Sequence, residues 1–149
     1  MKDVLIHIDN DLTSGSILKA LERIILGGTE KIQITLLKIY MVSDINNVNA
    51  VEENDRIKAH LGIKISKIQY AVEEYFLGSN LVVQSRVEIG SKLNVLPSLL
   101  DSHRFDCLII GYKSVALIPK IKYLLSKEKN FFPYVILCPE TIECSILEA

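Results

Sequence analysis

The residues that could do chemistry in this chain fall in two places. Asp9 closes an apolar run, Val4-Leu5-Ile6-His7-Ile8, with Asp11 close behind it. A basic segment (Lys113, Lys120, Lys122, Lys127 and Lys129) follows a second apolar run, Cys107-Leu108-Ile109-Ile110, that ends at Gly111. A carboxylate at the end of a strand either accepts bonds from a bound group or turns the chain and caps the next helix. Lysines can hold phosphate oxygens as point charges, or they can form a solvated helix face. His7, His60 and His103 lie far apart and share no metal-ligand spacing. No G-x-S-x-G turn is present, so neither a metal centre nor acid–base catalysis is expected. His7, inside a buried run, is expected to be a hydrogen-bonded core residue. Cys107 and Cys138 fall in apolar strands and should behave as small apolar groups, while Cys144 in the tail is expected to be exposed.

The composition places these residues in a globular setting. The chain has 149 residues, 49% hydrophobic and 23% charged. One domain over residues 1–149 is expected, large enough to bury a core without staples. Seventeen basic against eighteen acidic side chains give a formal charge of −1, too balanced for a dedicated nucleic-acid or membrane-surface binder. Mean hydropathy is high at +0.27, yet no apolar run approaches the ~20 residues of a spanning helix. The start, MKDVLIHIDND, meets acids at once and does not resemble a signal peptide. Three cysteines without a C-x-x-C pair suit a reduced, cytoplasmic setting.

Periodicity orders the elements. Val4–Ile8 predicts a strand buried on both faces. Ser14 or Thr13 can cap a helix whose apolar residues are Ile17, Leu18, Leu21, Ile24 and Ile25, stopped by Gly27-Gly28. Ile32–Val42 is a second strand, followed by a polar, loop-like stretch from Ser43 to Asn49. Ile57, Leu61, Ile65, Ile68, Val72 and Phe76 step by three or four along a long helix. A third strand from Leu81 then alternates, with Val87 and Ile89 inward and Arg86 and Glu88 outward, which suits a sheet edge. Val95, Leu96, Leu99 and Leu100 mark another helix. Pro97 predicts that it starts late, near Asn94, or kinks. After the fourth strand, Pro119 suits the first turn of a short helix to about Lys127. The fifth strand is Tyr134–Leu137, between Pro133 and Pro139.

Alternating strands and helices imply parallel strands with right-handed crossovers. The expected fold class is α/β: three layers, α/β/α, around a doubly wound five-stranded parallel sheet ordered 3-2-1-4-5. The two strands apolar on both faces then lie at the centre. A crevice is expected where the order reverses, at the ends of strands one and four marked by Asp9 and Gly111. Asp9 with Asp11 does not make a phospho-receiver pocket. That chemistry needs an Asp after the third strand and a Lys after the fifth, where this chain has Glu88-Ile89-Gly90 and Leu137-Cys138-Pro139.

Over nearly its whole length the pattern resembles the universal stress protein family, of adenine nucleotide alpha hydrolase-like fold. The matching residues are Val4 to Asp9, Thr35-Leu36-Leu37-Lys38-Ile39, the long helix from Ile57 to Phe76, Val87-Glu88-Ile89-Gly90, Asp106-Cys107-Leu108-Ile109-Ile110-Gly111 and Pro133 to Pro139. The resemblance implies that Asp9 would accept bonds from an adenosine and that Ile39 would offer backbone groups to its adenine. For Ile39, the other reading is a core strand residue. ATP-binding members of the family carry G-x2-G-x9-G-[ST] after the fourth strand, where glycine amides and a helix start approach phosphates. Here Gly111-Tyr112-Lys113-Ser114 puts serine at the second glycine. The last pair is Leu124-Leu125 by counting, or Lys120-Ile121 when aligned on Pro133. Neither register restores a glycine.

The resemblance therefore implies a cytoplasmic signalling or protective module, with no enzymatic activity and no cofactor expected. The alternative is an ATP- or AMP-binding sensor, or slow ATPase, in which Lys113 and Lys120 replace the lost amides beside Gly111 and Ser114. A third reading is another small anion in the same crevice of a different doubly wound fold. The last strand is apolar and uncharged, and such edges invite pairing. A homodimer through Phe132, Tyr134, Val135, Ile136 and Leu137 is expected, as family members often pair there, with Phe131 alongside. The competing arrangement folds the Glu140–Ala149 tail over that edge. Unknown protein partners are expected, and neither nucleic acid nor membrane.

Overall fold

The computed structural model describes residues 2–9, 12–25, 30–41, 50–125 and 131–138, without the side chains of 50–54 and 61. The expectations for Asp11, Gly27-Gly28, Ser43–Asn49, the Leu61 side chain, Lys127, Lys129, Pro139, Cys144 and the tail lie outside the described residues.

Five strands form one parallel sheet: β1 (Lys2–His7), β2 (Ile32–Tyr40), β3 (Leu81–Ile89), β4 (Cys107–Gly111) and β5 (Tyr134–Cys138). Their order is β3-β2-β1-β4-β5, as the apolar patterning predicts. The helices are α1 (Ser14–Ile25), α2 (Ala50–Tyr75), α3 (Lys92–Ser102) and α4 (Ile118–Leu124), the last preceded by a 3₁₀ segment, Tyr112–Leu117.

Strand side chains alternate between faces, so each central strand feeds two cores. Val4, Ile6, Ile34, Leu36, Cys107 and Ile109 pack beneath α1 and α2, against Ile17, Leu21, Ile65 and Val72. Leu5, Leu37, Leu108 and Ile110 pack beneath α3 and α4, against Leu96, Leu99, Leu100 and Ile121. Helices on both faces explain why β4, and Val4-Leu5-Ile6 of β1, can be apolar on both sides. No described helix is long and apolar enough to cross a membrane.

Two local expectations need correction. Pro97 does not delay α3, which begins at Lys92. The proline leaves the Leu93 carbonyl without its helical donor, yet the helix continues through it to Ser102, with Leu96, Leu99 and Leu100 buried. Ile89 does not point inward. It lies at the last register position of the edge strand, opposite Tyr40, and is 38% exposed, while Glu88 is half-buried. The rest of β3 alternates as expected, with Leu81, Val83 and Val87 packed on the core.

His7 is buried, as are Cys107 and Cys138. Burial pushes the Cys107 thiol up to about 11, with Asp106 adding to the rise and Lys2 opposing it. The protonated thiol is therefore the form the fold favours. Its contribution to stability is complete below the ordinary thiol value of 9.0 and is lost as pH rises toward 11. Native protein carrying Cys144→Ser should show no reaction with a disulfide reagent at pH 8, and two thiols after denaturation. A thiol titrating at once in the native state would contradict this burial.

Candidate functional site

The sheet order reverses between β2-β1 and β4-β5, and parallel strands all end on one rim, so the crevice opens beyond β1 and β4. Ile8 still bonds the sheet, its N–H reaching the Leu37 carbonyl at 2.8 Å. At Asp9 the chain turns, and the Leu12 N–H meets the Asp9 carbonyl at 3.1 Å. Thr13 caps α1: its Oγ1 accepts the Ser16 N–H at 3.2 Å. The Asp9 carboxylate takes up other partners. Its Oδ2 accepts the Ser114 hydroxyl at 2.7 Å and the Lys92 ammonium at 3.0 Å.

Three elements meet at this oxygen. Asp9 comes from the end of β1, Ser114 from the 3₁₀ segment behind β4, and Lys92 from the first turn of α3. Ser114 is buried at 3% exposure, so its hydroxyl bonds the carboxylate largely away from water. The Lys92–Asp9 pair is more open, at 34% and 16% side-chain exposure. It therefore contributes about 1 kcal/mol or less, and the shielded hydroxyl bond to a charged acceptor contributes more.

The structure brings Asp9 and Ser114 into contact, with Gly111 buried three residues before the serine. Ile39 is half-buried and packs on the core beneath α3 and α4. Lys113 and Lys120 are exposed. Gly111 has φ −69° and ψ 150°, a conformation open to any residue. Directly after it the backbone closes into the 3₁₀ segment, which ends with the Ile118 N–H on the Val115 carbonyl. In the two registers for the missing Gly-Ser/Thr pair, Ile121 is buried in the core and Leu125 packs against it.

Beside Asp9 lies a cavity of about 170 Å³ lined by Ile8, Asp9, Leu12, Lys38, Lys64, Ile65 and Ile68. Pockets that hold drug-sized ligands run from about 300 Å³ upward. This one has room for a small group and too little for a nucleoside triphosphate. Its polar lining is one carboxylate and two lysines.

Lys92, Lys38 and Lys64 were not legible as site residues. For Lys92 a signal exists: a cation in the first turn of a helix opposes the macrodipole and needs an anionic partner. All helices that follow strands of a parallel sheet start on the crevice rim, so Asp9 was within reach. Among the described residues no cluster of three or more metal-ligating side chains occurs. His103 lies 3.7 Å from Asp3, distant from this site in the chain and on a different strand end.

No family model matches the sequence, and no curated protein matches it. Solved structures do. A protein described as hypothetical protein MJ0577, whose biochemical function was assigned from its structure, superposes with a TM-score of 0.68 at 14% identity, covering 92% of this chain and 94% of its own. The universal stress protein UspA from Lactobacillus plantarum gives 0.62 at 14% identity, covering 92% and 97%. A hypothetical protein, PH0823, gives 0.59 at 12% identity, covering 91% and 96%. The fold is that of the universal stress proteins, as the order of the sequence patterns implies.

Proposed function

We propose that this chain is a universal-stress-type module, one domain over residues 1–149, that works through protein contacts and does not bind ATP with high affinity. The observation that carries this reading is the bonding of Asp9 to Ser114 and Lys92. The carboxylate that would face an adenosine is held by the protein's own groups. The serine at the second glycine position is one of them. A ligand that used this carboxylate would have to displace these bonds.

The module would act as a cytoplasmic homodimer, signalling or protecting without catalysis. Among the described residues β5 pairs only with β4, and its other edge carries Tyr134 at 74% exposure. Phe132, Val135 and Leu137 are half-buried and Ile136 is buried, so pairing there would run through the backbone, with Tyr134 and Phe131 beside it. Arg104 and Lys122 lie over the Phe131 and Phe132 rings, 4.1 and 4.9 Å from their centres.

Calorimetric titration with ATP and AMP, with and without magnesium, should give no saturable heat at micromolar protein. Submicromolar affinity would overturn the reading. The other reading, an adenine-nucleotide sensor, needs the exposed Lys113 and Lys120 as phosphate contacts. Under it, changing both to alanine abolishes binding.

A further inference from the structure

The cavity beside Asp9 has a lysine where the sheet calls for an apolar residue. On β2, Ile34, Leu36 and Lys38 share the face that α1 and α2 cover. Ile34 and Leu36 are fully buried there. The neighbours of Lys38 across the sheet are apolar too. Val87 of β3 stands opposite it in register, and Ile8 follows His7, which pairs with Leu37. Both pack into the same core. The row therefore runs Ile8, Lys38, Val87, with a half-buried cation at its centre. A charge in such a place is costly unless an anion stands near it.

Lys38 lines the cavity of about 170 Å³ together with the exposed Lys64 of α2. Asp9 lines it as well, but its Oδ2 is engaged by Lys92 and Ser114. The lining and the partner of Asp9 thus bring three ammonium groups (Lys38, Lys64 and Lys92) to one carboxylate. The rest of the described lining, Ile8, Leu12, Ile65 and Ile68, is apolar. An enclosed apolar space with a few convergent charges is the usual form of a small-molecule site.

We infer that this cavity binds a small monocarboxylate with a short branched or aromatic hydrocarbon body. The carboxylate lies between Lys38 and Lys64, and the body lies against the four apolar side chains. The lining selects this class. Two carboxylate oxygens match two ammonium groups. Inorganic phosphate is polar on every side, so the apolar walls would leave most of its oxygens without donors. A cation would meet the excess of positive charge. A volume below the about 300 Å³ of drug-sized pockets suits a body of a few carbons. The site lies at the ends of β1 and β2 under α2, whereas Ser114 and Lys92 reach Asp9 from the segment after β4 and the start of α3. It therefore goes beyond the proposed function and leaves the Asp9–Ser114 bond in place.

The test uses the full chain with isovalerate and benzoate as probes. Chemical-shift titration of isotope-labelled protein should saturate with a dissociation constant of about 1 mM or tighter. The shifts should centre on Ile8, Lys38 and Ile65. Lys38→Met keeps the aliphatic stem and removes the charge, and should weaken binding about tenfold or more. Lys64→Met should act in the same direction, and the double variant should abolish binding. Isoamyl alcohol and isoamylamine carry the isovalerate skeleton without its negative charge. Both, and inorganic phosphate, should bind about tenfold more weakly than isovalerate or worse. The inference is overturned if neither carboxylate approaches saturation by about 10 mM, if the alcohol or phosphate binds equally well, or if both lysine variants keep the wild-type affinity. The two readings fail separately: the ATP titration decides the proposed function, and the carboxylate titration with its lysine variants decides this site.

Discussion

Ile109→Ala should lower the free energy of unfolding by about 3–5 kcal/mol, the largest stability effect expected of a single truncation here. Ile109 is fully buried on β4 and lies between Ile6 of β1 and Ile136 of β5 in register. Its side chain belongs to the core beneath α1 and α2, which holds Ile17, Leu21, Ile34 and Leu36. Truncation removes several buried methyl and methylene groups, each worth about 0.8 kcal/mol. The central strands are fixed by hydrogen bonds on both sides, so they cannot collapse into the void, and the cavity adds its own cost. For a chain of this size the change corresponds to a midpoint shift of about 10 °C. Val82→Ala, on the edge strand where Val82 is 43% exposed, is the control and should cost about 0.5 kcal/mol or less. Urea unfolding of both variants is the measurement. Near-equal midpoints would mean that β4 is not central.

The fold was legible because burial on both faces leaves an unambiguous mark. Cys107-Leu108-Ile109-Ile110 has no polar position, and only a strand covered by helices on both sides tolerates that. The alternation read at Arg86, Val87, Glu88 and Ile89 identified the edge for the same reason, although only its first half holds in the structure. Strand ends were less legible. Ile89 keeps the alternation in sequence yet sits at the rim, where the pattern continues after the cover has ended. Pro97 misled in the opposite direction: the bond to the Leu93 carbonyl is lost, and the burial of Leu96, Leu99 and Leu100 holds the helix together through it. At the site, Asp9 and Ser114 could be found by position. Their mutual bond could not, since it joins residues 105 positions apart and depends on how tightly the backbone turns after Gly111. Lys92 and the lysines of the neighbouring cavity reach the crevice from helices and a strand whose rim positions emerge only from the assembled sheet.

Asp9→Ala should destabilise the protein by about 2–3 kcal/mol, and its partners decide how. The substitution leaves Ser114 buried with its acceptor gone, at a cost of about 1–3 kcal/mol, and releases a partly exposed lysine at far less. Ser114→Ala should therefore cost more than Lys92→Ala. The double-mutant cycle Asp9/Ser114 should give the larger coupling, and only the Asp9/Lys92 coupling should shrink between low and 1 M salt. Ser114→Gly separates stability from ligand exclusion. It removes the hydroxyl and restores the second glycine, yet Ile121 and Leu125 remain where a glycine and a hydroxyl would have to meet the phosphates. Its calorimetric titration with ATP should stay flat. Micromolar binding by this one variant would mean that a single hydroxyl keeps the crevice shut and that the turn behind β4 can still open around a triphosphate. Binding absent in Ser114→Gly and in wild type alike means that the hydroxyl is not the sole barrier, as Ile121 and Leu125 require.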